Sequence, residues 1–319
     1  MTTDAQPGGL PYHRIHRGRA GPGDWWRPIV GVLTLTLGVL VLAPIVALVA
    51  FMVGYAVQGA DLEESLTRLV DTDNVTPAGL AYVFVVLASA IPITWTISRV
   101  LHRLPPRWLS SVTPRIRWRW FAVCVGLAVA ALAATLLVSG LLPDQGGAEM
   151  SGELNDFTRT TRDFALVVLL LTPLQAAGEE YAFRGYLTQA FGGLIPHVWV
   201  AVVVPAVLFA LAHGLGQSWP IFFDRFAFGL VAGTLVILTG GLEAGIAMHV
   251  LNNWVAFGLA LAYGDMSSAL NPTGGTWWSI PVTLTQSLVY LGLAVLVGRR
   301  MGLQTSTTPG VLEGSGRRV

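Results

Sequence analysis

Eight apolar runs, most of them near the length of a membrane crossing, constrain this chain more than any other feature. They cover about residues 29–57, 78–101, 119–142, 164–190, 197–213, 222–239, 243–264 and 280–298. About 20 mainly apolar residues are needed to cross the hydrocarbon core as a helix. Backbone groups in lipid must bond within their own segment or within a closed barrel. The runs lack period-two alternation and several are twice the length of a barrel strand, so they read as helices. The expected fold class is all-α, a polytopic membrane helix bundle of about eight transmembrane helices. Pro44, Pro92, Pro173 and Pro205 fall inside the runs, where membrane helices tolerate them.

Composition agrees and excludes several functions. Hydrophobic residues make up 53% of the 319 and charged residues 12%, about half the charged share of a soluble domain. Lipid is therefore the main partner. Cys124 is the sole cysteine, so neither an intrachain disulfide nor a cysteine metal site is available. No basic patch with interleaved aromatics points to nucleic acid, and no glycine-rich phosphate loop is present.

Charges in the connecting loops alternate in sign. Arg14, Arg17, Arg19 and Arg27 precede the first run. Arg99, Arg103, Arg107, Arg115, Arg117 and Arg119 lie between the second and third, and Arg299 and Arg300 follow the last. The other loops are acidic, with Asp61, Glu63, Glu64, Asp71 and Asp73 in one and Asp144, Glu149, Glu153 and Asp156 in the next. The positive-inside rule then places both termini in the cytoplasm, which requires an even number of spans.

Five regions follow. Residues 1–28 are polar and rich in Gly, Pro and Arg, and are expected to be a disordered cytoplasmic tail. The run after them is too long for a signal peptide and is read as a retained first helix. Residues 29–142 hold accessory helices one to three, with almost no polar residue at membrane depth. Residues 164–264 hold helices four to seven and carry the chemistry. Helix eight spans 280–300, and 304–319 is expected to be a disordered tail. Gly229 and Gly233 form a small-residue face on the sixth run, read as packing within the bundle.

Three fragments of the core are polar where hydrocarbon is expected: Glu179-Glu180-Tyr-Ala-Phe-Arg184, Phe209-Ala-Leu-Ala-His213 and His249-Val-Leu-Asn-Asn253. A charge at membrane depth costs at least about 2.5 to 3.5 kcal/mol, so such residues are functional candidates. On a helix, Glu180 and Arg184 share a face and can pair. Glu179 is turned by about 100° from Glu180 and is free to face a reactive water as general base. A lone helix-end histidine such as His213 is weak evidence, but Gly214 and Gly216 after it suggest a helix break lining a cavity. His249 and Asn253 share a face and suit either a metal or an oxyanion. Each fragment also has a bland reading, as a solvated helix end, a cap or a polar helix contact. The three together make one site the better account.

The ordered trio Glu-Glu-x-x-x-Arg, Phe-x-x-x-His and His-x-x-x-Asn resembles the CAAX protease and bacteriocin-processing (Abi) family of intramembrane proteases. The resemblance covers about 164–264, and Thr239-Gly-Gly-Leu-Glu243 is also similar to bacterial members. It implies an eight-helix bundle with its site in a membrane cavity open toward the cytoplasm. By motif position, Glu179 is the water-activating glutamate, with His213, His249 and Asn253 as catalytic partners and Glu180 and Arg184 in support. Whether a divalent metal such as zinc joins His213 and His249, with Glu179, is left open by the resemblance. The paired histidines of ordinary zinc proteases are absent.

The reading is a multi-pass protein of a bacterial plasma membrane that hydrolyses a peptide or membrane-protein substrate. The rivals are a non-catalytic Abi-type factor that binds a peptide or confers immunity, and a transporter. The full catalytic set argues against the first, and the lack of a repeat-related second cluster against the other. One misfit stands out. His213 lies about 24 Å along the fifth helix, whereas His249 lies only about 9 Å beyond Glu243.

Overall fold

In the computed structural model, which describes residues 9–21, 23–143, 153–214, 216–270 and 275–312, the apolar runs are helices and no strand forms among the described residues. The long helices are α1 (Trp26–Val57), α3 (Pro77–Val100), α4 (Trp118–Ser139), α5 (Arg159–Glu180), α8 (Trp219–Thr239), α9 (Glu243–Tyr263) and α11 (Ser279–Arg300). Shorter ones are α2 (Leu62–Val70), α6 (Thr188–Leu194), α7 (Val198–Ala212) and α10 (Met266–Leu270). Six of these are long and apolar enough to cross a membrane. The two other expected crossings have local reasons for falling short. α5 dilutes its apolar stretch with Gln175, Glu179 and Glu180, and α7 has only 15 residues. Counting both, the bundle has about eight membrane helices, as the apolar runs indicate.

The helices are built inside-out relative to a soluble protein. Leu40 on α1 and Leu137 on α4 are 69% and 72% exposed, which places them against lipid rather than in a core. Exposed tryptophans form two belts of the kind found at membrane interfaces. Trp25, Trp26, Trp118 and Trp199 mark one end, and Trp219, Trp277 and Trp278 the other. The 21 residues of α8 between these ends span about 30 Å, the thickness of the hydrocarbon layer.

The two ends differ in charge, as the loop pattern requires. At the first end the Arg19 guanidinium donates to the Arg103 carbonyl (2.9 Å), Arg14 to Gly192 (2.6 Å) and Arg117 to Gln304 (3.3 Å). At the opposite end Asn155 caps α9, donating to the carbonyls of Leu261 and Gly264, and the Val75 amide donates to Ser267. Asp61 caps α2 there, accepting from the Glu64 amide at 2.9 Å. Asp144 and Glu149 lie outside the described residues.

The tails differ from the expectation of disorder. Residues Tyr12–Arg19 form a 3-10 helix with Tyr12 and Ile15 fully buried. The Tyr12 hydroxyl donates to the Leu109 carbonyl. The Leu10 amide donates to Thr307 Oγ1, and the Thr307 amide returns the bond to the Leu10 carbonyl, both at 2.9 Å. Leu312 is buried in the same place. Polar composition misled here because a few apolar side chains, Tyr12, Ile15 and Leu312, are enough to seat both tails.

A buried segment, Trp108–Val112, closes this arginine-rich end from within. The Val112 amide donates to Gly240 and the Leu242 amide to Ser110, which ties the α8–α9 turn to it. Beside it Arg117 grips Glu243, at the start of α9, by two parallel bonds of 2.8 and 2.7 Å. Glu243 is fully buried, so this pair fixes where α9 begins. Gly229 and Gly233 pack against Ala206 and Val202 of α7, inside the bundle as expected.

Two expectations follow. Replacing Arg117 with Ala leaves Glu243 buried without its counter-charge, a loss of about 3 to 5 kcal/mol, read as a lower melting temperature in detergent. Second, burial, helped by Arg14, holds the His13 imidazole down at about 4, and burial with Arg27 holds His102 at about 4. Both are neutral when folded, whereas the unfolded groups bind protons below about 6.5. Their contribution is therefore complete above pH 6.5 and is lost as pH falls toward 4. The amide-exchange protection factors of residues 12–19 should fall as pH drops through that window and stay flat above it.

Candidate active site

α5 and α9 run antiparallel and in close contact, and a chain of polar contacts crosses between them. Arg184 and His249 share one oxygen of Glu180: Arg184 donates to Oε1 at 3.0 Å, and His249 Nδ1 lies 3.0 Å from the same atom. The other nitrogen of that ring, Nε2, is 3.3 Å from Glu179 Oε2. One imidazole thus stands between the two adjacent carboxylates. Gln175, one turn before Glu179, donates to Glu179 Oε1 at 2.8 Å. Asn253, one turn after His249, donates to Gln175 Oε1 at 3.0 Å. The unbroken order is Asn253, Gln175, Glu179, His249, Glu180, Arg184.

Local sequence explains why these groups meet. Gly245 sits opposite Glu180, and a Cβ there would stand 2.6 Å from Glu180 Oε2. Gly178, just before the glutamates, lies where any side chain would overlap the Leu87 carbonyl of α3. That carbonyl is near the break in α3 around Ser89, where Pro92 cannot donate to the ladder. Directly after the glutamates the helix widens into a π-turn, Tyr181–Leu187, before continuing as α6. Such turns concentrate at functional sites.

Arg184 is enclosed on its other side by rings. Its guanidinium carbon lies 4.1 Å from the centre of Phe209 and 5.5 Å from that of Phe228. Both rings also flank His249, at 6.0 and 5.1 Å. Cation–π contact in a dry setting is worth up to about 2 kcal/mol, so Phe209 completes the neutralisation of a fully buried charge. His213 stacks edge-on against Phe209 at 4.6 Å, and its Nδ1 donates to the Phe209 carbonyl at 2.8 Å. It is the one exposed member of the set, although protein atoms crowd it and it lies near enough to Glu179 to feel its charge.

The depth misfit has a simple resolution. The α5 helix does not stop after the glutamates but runs on through the π-turn and α6. Glu179 lies fifteen residues before Leu194, and His213 fifteen residues after Val198, where the chain turns back. The start of α9 is raised to meet them by the Trp108–Val112 segment beneath it.

All six residues singled out in the sequence fall in this region, but their partners differ from expectation in one case. Asn253 is bound to Gln175, not left open for an oxyanion. Sequence reasoning missed Gln175, Phe228 and Gly245, and it gave Phe209, the first residue of the second motif, no role of its own. Gln175 was findable: it lies four residues before Glu179, on the same helix face.

The metal that the resemblance leaves open does not fit this donor set. Among the described residues no group of three or more His, Cys, Asp or Glu side chains is placed to hold a metal ion. His249 has a carboxylate oxygen near each nitrogen.

Near the arginine-rich end α5 meets α7 and α8 through its π-turn; beyond it, α5 packs on α3 and α9 and no longer closely on α7 or α8. Between Glu179 and that end lie Leu109, Tyr181, Leu242 and Ile246, all buried.

Residues 161–255 match the family model described as type II CAAX prenyl endopeptidase Rce1-like. That span holds every residue of the polar chain, and its family is the one the three motifs resemble. At family level the match is to intramembrane peptidases. The chain is also similar to the uncharacterized protein YyaK of Bacillus subtilis (strain 168), 26% identical over 290 residues, covering 86% of this chain and 93% of that protein. No solved structure matches.

Gly245→Ala should push the new methyl into Glu180 and separate α5 from α9. We expect a loss of about 1 to 3 kcal/mol by thermal melting in detergent, with Gly258→Ala, which meets open space, as the neutral control.

Proposed function

We propose that this protein is an intramembrane endopeptidase of a bacterial plasma membrane that cuts a peptide bond with a water activated by Glu179. The observation that carries the reading is the Glu179 carboxylate. Gln175 holds one oxygen, while Oε2 accepts no hydrogen bond from any described residue and faces His249 Nε2 at 3.3 Å. It is a fixed base with one oxygen left for water.

In this mechanism Glu179 takes a proton as the water oxygen bonds to the scissile carbonyl carbon. His213 gives Nδ1–H to the Phe209 carbonyl, so it stabilises the developing oxyanion only when doubly protonated, with Nε2–H as the donor. The carbon–nitrogen bond then breaks, and the proton on Glu179 passes to the leaving amine. Gln175, itself held by Asn253, fixes Glu179, and His249, braced by Glu180, lies beside the remaining oxygen. Arg184 neutralises Glu180 so that two adjacent glutamates can share one dry site. Each step uses only side chains of α5, α7 and α9.

Glu179→Gln should abolish turnover, about 10²-fold or more for loss of a general base, with melting unchanged, because shape is kept. Losses from Glu179→Gln and His213→Ala should be non-additive, since the two act on one water. Proteomics of membrane fractions from wild-type and Glu179→Gln strains would reveal the uncut substrate. A Glu179→Gln strain with a wild-type peptide profile would leave a peptide-binding factor as the better reading.

A further inference from the structure

We infer that the arginine-rich end carries a binding site for the phosphodiester headgroup of an anionic membrane lipid, between the N-terminal 3-10 helix and the start of α1. The site is a narrow crevice lined by His16, Arg17, Asp24, Trp25, Arg27 and His102. It lies apart from the glutamates of α5.

The crevice holds an unanswered hydrogen-bonding group. Only 4% of His16 is exposed, yet neither of its ring nitrogens has a hydrogen-bond partner among the described residues. The ring is stacked on His102 with centres 3.9 Å apart and planes 11° from parallel. His102 has a partner for Nε2, the Tyr186 hydroxyl at 2.9 Å. A neutral imidazole carries one N–H and one acceptor nitrogen. His16 therefore holds a buried donor with no acceptor, which is costly. An oxygen entering the crevice supplies one. The free volume is about 10 Å³, room for about one oxygen atom. What enters is thus the tip of a group whose bulk stays outside.

Charge selects that group. Arg17 is exposed at the rim and Arg27 lines the wall. Asp24 is the one carboxylate among the lining residues, and both its oxygens are taken, Oδ1 by Arg27 at 3.0 Å and Oδ2 by the Gly21 amide at 2.7 Å. Two guanidiniums against one carboxylate leave the crevice positive, and Arg14 and Arg19 on the same 3-10 helix add to the field. A phosphate oxygen suits a buried N–H flanked by guanidiniums. Position selects the source. Trp25 and Trp26 are exposed beside the crevice, at headgroup level. Ile29, Val30 and Leu33, one to two turns further along α1, are exposed too and offer a surface to the acyl chains of the same molecule. Basic pockets at the ends of membrane helices hold lipid headgroups in this way. A lipid seated here joins the 3-10 helix to α1, and through His102 and Tyr186 it braces the π-turn that follows Glu179 and Glu180.

Lipid-dependent melting of the full-length protein, purified in detergent and stripped of co-purified lipid, tests the site. Dioctanoyl phosphatidylglycerol, dioctanoyl phosphatidylcholine and inorganic phosphate are titrated in turn. Phosphatidylglycerol is expected to raise the melting temperature saturably, with little effect from the other two at equal concentration. His16→Phe keeps a ring on His102 but removes both nitrogens, and Arg17→Gln alters only an exposed side chain. Each should shift the midpoint of the titration about fivefold or more, whereas Arg300→Gln, at the foot of α11, should leave it unchanged. If His16→Phe does not fold, Arg17→Gln decides alone. The same midpoint in wild type and Arg17→Gln, or no response to phosphatidylglycerol, would mean that the crevice holds solvent only and would overturn the inference. An equal response to inorganic phosphate, lost in the same variants, would make this a site for a free anion and overturn the lipid. Phosphatidylcholine that matches phosphatidylglycerol would show that charge does not select the ligand, and would overturn it as well.

Discussion

A single carboxylate oxygen organises this protein. Glu180 Oε1 receives both Arg184 and His249, each at 3.0 Å, and all three side chains are buried from bulk solvent. Truncating any of the three strands a charge or a polar ring at low dielectric, where an unpaired ion costs several kcal/mol. The contact therefore sets the register of α5 against α9. Gly245 is the consequence on one side, since no side chain fits between the helices there. The phenylalanine rings around Arg184 are the consequence on the other. Glu179 is held still only because its neighbour is already committed.

The accessory helices serve this contact in a definite way. α3 breaks near Ser89 and lets α5 approach at Gly178. The segment after α3 folds under the bundle and sets the starting level of α9 through Ser110 and the Arg117–Glu243 pair. The first and last residues of the described chain then lock that segment in place. A region with no chemistry of its own thus determines the depth at which His249 meets Glu180.

Much of this was legible in the sequence, because lipid leaves a chain few choices. Run length and the missing alternation indicate helices, and the arginine pattern sorts the ends that the structure then gathers. The i, i+4 spacing of Glu180 and Arg184 anticipates their ion pair. What escaped depends on which face of one helix meets which face of another. Phe209 opens the second motif, but its role shows only once it lies beneath a guanidinium. Asn253 reads as an open donor until α5 brings Gln175 opposite it. The tails read as disordered because a buried Tyr12 or Leu312 among glycines and arginines carries no periodic signal.

The bond between Leu10 and Thr307 joins residues nearly 300 positions apart. A chain inserted from its N-terminus cannot close that clasp until its last helix has left the ribosome. The floor beneath the glutamates is therefore the last part of the molecule to set, and the two carboxylates remain uncoupled from a finished site throughout synthesis. A chain that stopped short of Thr307 would carry every motif in its helices and still lack the clasp beneath them.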